Sequence, residues 1–100
     1  MNLILAPSAA EDLRAISIYT LETWGVPQEE RYLGGLWARL AGIRERPESF
    51  RMREELAPGC RSARYECHVI FFRIRGQNIE VMRILHAAMD FGRHLADEDP

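Results

Sequence analysis

Lysine is absent from this 100-residue chain: all thirteen basic residues are arginine. No ε-amino group is available for Schiff-base or general-base chemistry, whereas guanidinium groups suit planar, bidentate contacts to acids. Cysteine is scarce, with only Cys60 and Cys67. Two thiols do not make a disulfide framework, and free thiols suit a reducing cytoplasm, which is the expected location. Together with His68 they make no zinc spacing, because no second close pair of ligands follows, and no metal or cofactor is expected. No apolar run approaches the ~18 residues needed to span a bilayer, and the N-terminus lacks a charged region followed by a long apolar core. Neither a membrane protein nor a secreted one is expected. A Gly-rich phosphate loop, paired catalytic carboxylates and a nucleophile elbow are missing as well.

What is present is the composition of an ordinary globular protein, 47% hydrophobic and 28% charged. The length allows one small domain, expected over residues 1–96, followed by an acidic tail at 97–100. The formal charge of −2 hides an uneven distribution. Residues 1–50 carry five Arg against seven acids, residues 51–96 carry eight Arg against five acids, and the tail adds three acids. The C-terminal half is mildly basic. That imbalance is too weak to imply nucleic-acid binding, so no sequence-specific DNA recognition by this chain alone is expected.

Leu3-Ile4-Leu5 reads as a short strand ended by Ala6-Pro7. Ser8 stands three residues before Glu11, a capping-box arrangement, and Asp12 adds a second acid where a helix dipole favours one. Leu13, Ile16, Thr20 and Trp24 follow at helical spacing, and Gly25 is a natural stop, so the first helix is expected over about 8–24. Pro27 fits the first turn of a second helix, in which Leu33, Leu36, Trp37, Leu40 and Ile43 recur at three and four, and Pro47 ends it. So short a connection makes the pair an antiparallel hairpin. Gly34, Gly35 and Gly42 weaken the second helix by about 1 kcal/mol each relative to Ala, and their presence suggests close backbone approach or tolerated strain.

Residues 47–59 read as a loop, after which the hydrophobic period changes from 3.6 to 2. Strands are expected at Cys60–Arg64, Cys67–Ile74 and Ile79–Leu85, with turns at Tyr65-Glu66 and over Arg75–Asn78. The expected fold is α+β in the order β-α-α-β-β-β, a helical hairpin on a small antiparallel sheet, with a short helix within 87–96. Strict alternation puts Ile70, Phe72 and Ile74 on one face of the third strand and Val69 and Phe71 on the other. In the last strand it puts Met82 and Ile84 on one face and Ile79, Val81 and Leu85 on the other. Both faces are apolar, and one hairpin covers only one of them. Either the segment 87–96 or another chain must cover the second. Left open, that face would make the isolated chain self-associate.

Arg61, Arg64, Arg73, Arg75 and Arg83 all fall on the sheet half, as a solvated edge or as a surface for an acidic or phosphate-bearing partner. His86 ends the last strand near Arg83 and, in space, Arg61. A histidine between guanidinium groups suits phosphodiester cleavage; the same residue also suits a structural strand end. His68 and His94 have no partner in sequence. From residues alone, the chain is a small interaction domain.

One pattern spans nearly the whole chain, residues 2–95. Asp12-Leu13, Ile16, Tyr19 and Trp24-Gly25 are followed by Pro47 and Pro58-Gly59-Cys60-Arg61. Then come His68-Val69-Ile70-Phe71-Phe72-Arg73 and Ile79-Glu80-Val81-Met82-Arg83-Ile84-Leu85-His86 with Met89-Asp90. This series resembles the ParE toxins of the RelE/ParE superfamily. The resemblance implies the toxic component of a bacterial type II toxin–antitoxin module, inhibiting DNA gyrase by binding without turnover. It also implies a hetero-oligomer with a ParD-like antitoxin, whose helix would lie on the apolar surface and whose extended stretch would run along the sheet. The expected contacts are Leu33, Trp37, Leu40, Val69, Phe71, Arg73 and Val81. The alternative is the RelE-like branch, which cuts mRNA on the ribosome with several basic residues and a Tyr or His near the C-terminus. Arg61, Arg83 and His86 fall at comparable places, but the missing lysines and the acidic balance disfavour it.

Overall fold

The computed structural model describes residues 1–96; the acidic tail expected at 97–100 lies outside them. Strand β1 (Asn2–Leu5) leads directly into helix α1 (Pro7–Trp24). The helix starts earlier than the capping box suggests, because Pro7 occupies its first turn, where a missing N–H is tolerated. Ala6 is the N-cap, its carbonyl takes the first helical bond from Ala10 N–H, and Ser8 makes no cap. Glu11 instead faces Arg14 at 3.8 Å, an exposed pair of small consequence.

Helix α2 (Val26–Glu45) follows after the single residue Gly25, whose φ of +92° favours glycine. Gly25 N–H closes α1 on Leu21 O, and Gly25 O opens α2 by accepting from Glu29 N–H. The hairpin is pinned by Ser17 Oγ donating to Glu29 Oε2 at 2.7 Å. Leu13, Ile16 and Thr20 of α1 are buried as expected, but Trp24, the last residue of the helix, is 68% exposed. In α2, Tyr32, Leu36, Leu40 and Ile43 form the buried stripe, Leu33 is half-buried and Trp37 half-exposed. Among the three glycines of α2, only Gly35 meets a neighbour: a Cβ there would collide with the Tyr65 hydroxyl.

The loop after α2 has more structure than expected. A 3-10 turn at Pro47–Ser49 leads to a two-residue strand β2 (Arg51–Met52). Strands β3 (Arg61–Tyr65), β4 (His68–Arg75) and β5 (Asn78–His86) form the meander, each within one or two residues of its expected place. Tyr65 pairs with His68, so the first turn is Glu66-Cys67, one residue later than expected, with Glu66 at φ +48°. Helix α3 (Phe91–Leu95) follows, capped by Asp90 accepting from Arg93 N–H.

Among the described residues, five strands form one sheet in the order β1-β5-β4-β3-β2. It is mixed and not wholly antiparallel: β1 lies parallel to β5, which a long connection between them allows. Strict alternation also fails in β5. Phe71 pairs with Arg83 but Phe72 pairs with Val81, leaving Met82 as the extra residue of a β-bulge. Parity reverses there, so Ile79, Val81 and Ile84 share the helix-facing core with Ile70 and Phe72, while Met82 and Leu85 join Val69 and Phe71 on the other face. That second face is covered within the chain. Phe91 and Leu95 of α3, with Leu56, Ala57 and Cys60, close over it. The argument for self-association through an open sheet face therefore loses its basis.

Candidate functional site

The basic residues of the sheet half are committed to intramolecular acceptors and do not form one focused patch. Arg61 donates through Nη1 to the carbonyls of Phe50 (2.9 Å) and Glu48 (3.3 Å), tying the loop before β2 onto β3. Arg64 donates to Glu66 O at 2.7 Å. Arg73 and Arg75 share Glu80 across the β4–β5 pair, at 2.8 and 3.5 Å. Arg83 reaches the first helix: its Nε and Nη2 donate to the two oxygens of Asp12 at 2.8 and 2.9 Å. Asp12 also accepts from Ile84 N–H at 2.9 Å. It is thus the clasp between α1 and β5 and not a dipole-matching acid. Sequence held both partners of this clasp, 71 positions apart, with no signal to join them.

Arg61, Arg83 and His86 consequently do not converge as the alternative catalytic reading requires. Arg61 serves the far edge of the sheet, Arg83 serves α1, and His86 pairs across β5–β4 with His68. His86 Nδ1 accepts from Ala88 N–H at 3.1 Å, the local role expected of a histidine at a strand end.

The seven expected antitoxin contacts separate by burial. Trp37 is half-exposed and Leu33 half-buried, both on α2. Leu40 and Val81 lie inside the core between helices and sheet, and Val69 and Phe71 lie beneath Phe91 and Leu95. These four present no open surface, because the chain's own elements cover both sheet faces. Arg73 is nearly buried and held by Glu80.

A cleft of about 640 Å³ opens where the end of α1 meets the β3–β4 turn. Its apolar walls come from Ile16, Tyr19 and Trp24 of α1 and from Met89. The opposite side carries Tyr32, Cys67, His68 and His86. Tyr32 Oη lies 2.7 Å from His68 Nδ1 and 3.3 Å from Cys67 Sγ. The His68 and His86 rings meet edge to face at 5.5 Å. Burial and the neighbouring Cys67 push the Tyr32 phenol well above its ordinary range, so it remains protonated. Burial, then the neighbouring His86, hold His68 below the usual imidazole value, against an opposing pull from Asp12. Sequence gave His68 no partner, and Tyr32 carried no signal at all. Their meeting depends on the register Tyr65↔His68 and on how α2 crosses the turn. Among the described residues, no three His, Cys, Asp or Glu side chains gather as a metal site.

An α+β domain with this helical hairpin on a five-stranded sheet defines a recognisable structural class. A chain from a solved structure described as a chromosomal ParDE TA system from P. aeruginosa superposes with a TM-score of 0.76, at 23% identity over 86% of this chain and 95% of that one. Residues 3–91 match the family model described as ParE toxin of type II toxin-antitoxin system, parDE. Toxin ParE of Escherichia coli is 39% identical over 95 residues, spanning 94% of this chain and 92% of its own. Toxin ParE1 of Mycobacterium tuberculosis (strain ATCC 25618 / H37Rv) is 36% identical over 93 residues, 92% of this chain and 95% of its own. The chain belongs to the ParE toxin family of type II toxin–antitoxin systems.

Proposed function

We propose that this toxin arrests DNA gyrase by binding it, without turnover of a substrate, and that a ParD-like antitoxin neutralises it in the cytoplasm as a hetero-oligomer. The observation that carries this reading is the family match over residues 3–91, nearly the full chain. The geometry supports binding over RNA cleavage, since Arg83 is clasped by Asp12 and Arg61 by loop carbonyls at the opposite edge. Among the described residues no helix is long and apolar enough to cross a membrane. Of the expected antitoxin contacts, Trp37 and Leu33 are the direct ones on α2. Leu40 and Val81 support that surface from beneath, Val69 and Phe71 become available to an extended segment only where α3 yields, and Arg73 only where Glu80 releases it.

The test is a purified gyrase supercoiling and cleavage assay with toxin released from antitoxin. Inhibition with accumulated cleaved DNA, reversed by adding antitoxin, supports the proposal. A folded sample without effect on gyrase overturns it and redirects the assay to ribosome-bound mRNA.

A further inference from the structure

The cleft beside Tyr32 has a donor pattern that its hydrogen bonds suggest at both histidines. Ala88 N–H is a backbone donor and nothing else, so His86 Nδ1 must accept, and the proton of the neutral ring resides on Nε2. His68 follows by a second route. The Tyr32 hydroxyl has one proton to give, and the imidazole nitrogen at 2.7 Å is its nearest acceptor, ahead of Cys67 Sγ at 3.3 Å and Tyr65 O at 3.5 Å. With the phenol donating along this shortest contact, His68 Nδ1 accepts too and its proton is assigned to Nε2. Both rings line the cleft, and among the described residues neither Nε2 has a hydrogen-bond partner. Two N–H donors therefore stand within one edge-to-face ring contact of each other, beside a wall of Tyr19, Trp24 and Met89.

The acids close to this pair already have arginine partners. Asp12 is held by Arg83 and Ile84 N–H, and Glu66 by Arg31 at 3.3 Å. An arriving anion meets two donors, while the Gln28 amide oxygen and the Glu66 carboxylate that also line the cleft are engaged by Arg31 at 3.1 and 3.3 Å. Apolar aromatic walls with a few convergent polar groups are the usual make-up of a small-ligand site.

We infer that this cleft is a binding site for a small aromatic carboxylate, its ring against Trp24 and Tyr19 and its two oxygens on the Nε2–H groups of His68 and His86. The inference is independent of the gyrase reading and concerns the free toxin domain.

Two measurements test it. Nitrogen-15 NMR of the histidine rings in the unaltered, neutral protein should show both His68 and His86 as Nε2–H tautomers. An Nδ1–H tautomer at either ring overturns the assignment of donors. Backbone-amide NMR titration then compares indole-3-acetate with tryptamine, which share a ring and differ in charge. Indole-3-acetate should shift the signals of Cys67, His68 and His86, and should bind at least about tenfold more tightly than tryptamine, since a hydrogen bond to a charged group contributes that much. His86→Phe keeps an aromatic edge without the donor and should reduce that preference severalfold while the β4–β5 amide signals remain those of a folded sheet. Equal binding of both probes, binding elsewhere, or no binding refutes the proposal.

Discussion

Removing the Asp12 carboxylate should unfasten α1 from β5. Asp12→Ala deletes three acceptor contacts, two from Arg83 at 2.8 and 2.9 Å and one from Ile84 N–H at 2.9 Å. Removing one partner of a buried ion pair costs about 3–5 kcal/mol, because the other charge stays desolvated. The Asp12 and Arg83 side chains keep 14% and 17% of their exposure, so water recovers part of the loss and about 2–4 kcal/mol is expected. At roughly 4–8 °C of Tm per kcal/mol for a domain of this size, the midpoint should fall by about 8–32 °C. Asp12→Asn retains an oxygen acceptor and should lose about half as much. Adding Arg83→Leu to Asp12→Ala removes the guanidinium that has lost its carboxylate and should recover part of the loss, which a double-mutant cycle read by denaturant unfolding measures. A Tm for Asp12→Ala within about 3 °C of the unaltered chain would refute the clasp.

The other consequences concern glycines, the exposed tryptophan and acid. Gly35→Ala should destabilise by about 1–3 kcal/mol through its collision with the Tyr65 ring, which is itself packed on Tyr32 at 5.0 Å. Gly34→Ala, facing open space, should stabilise by up to about 1 kcal/mol, so thermal melts of the two variants should move in opposite directions. Trp37→Ala should change stability by less than about 1 kcal/mol yet weaken the proposed antitoxin complex at least tenfold, by calorimetry; equal losses in both would place Trp37 in the fold instead. His68 is held below its ordinary value of 6.5, so the unfolded chain binds its proton first. Its contribution to stability is full above that value and is lost as pH falls through it, a slope that His68→Gln should flatten in denaturant midpoints.

The sequence was most informative where one local pattern decides the outcome. Helical periodicity with Pro27, Pro47 and Gly25 located both helices, and the β-branched and aromatic run from Val69 to Phe72 located the central strand. It failed where a non-local contact outranked a local signal. Ser8 and Glu11 satisfy the capping-box spacing, but Pro7 had already set the helix start, and Asp12 served a strand rather than the helix dipole. The bulge at Met82 is the costliest omission for the site. One extra residue reverses which side chains of β5 face the helices, and period-two counting carries no information about where a ladder will slip. The 3-10 turn and β2 were hidden for a related reason, since Arg51-Met52 becomes a strand only by pairing with Arg61-Ser62.

The bulge also explains why the inferred site resides at the sheet's end and not on its face. With parity reversed, the inner positions of β5 are filled with Ile79, Val81 and Ile84, and α3 closes the far side with Phe91 and Leu95 over Met82 and Leu85. Neither face has room for a ligand or an open polar group. What stays accessible is the end of the β4–β5 ladder, where His68 pairs with His86 beside the exposed Tyr19 and Trp24 of α1. Hydrogen-bonding capacity and aromatic surface meet there because the core has claimed everything else. Trp37 is absent from that cleft's lining, so an antitoxin held by α2 and a carboxylate held by the histidines need not compete. Saturating the toxin with indole-3-acetate should therefore leave antitoxin affinity within about twofold, and mutual exclusion of the two would mean that the antitoxin reaches around the hairpin to the histidines as well.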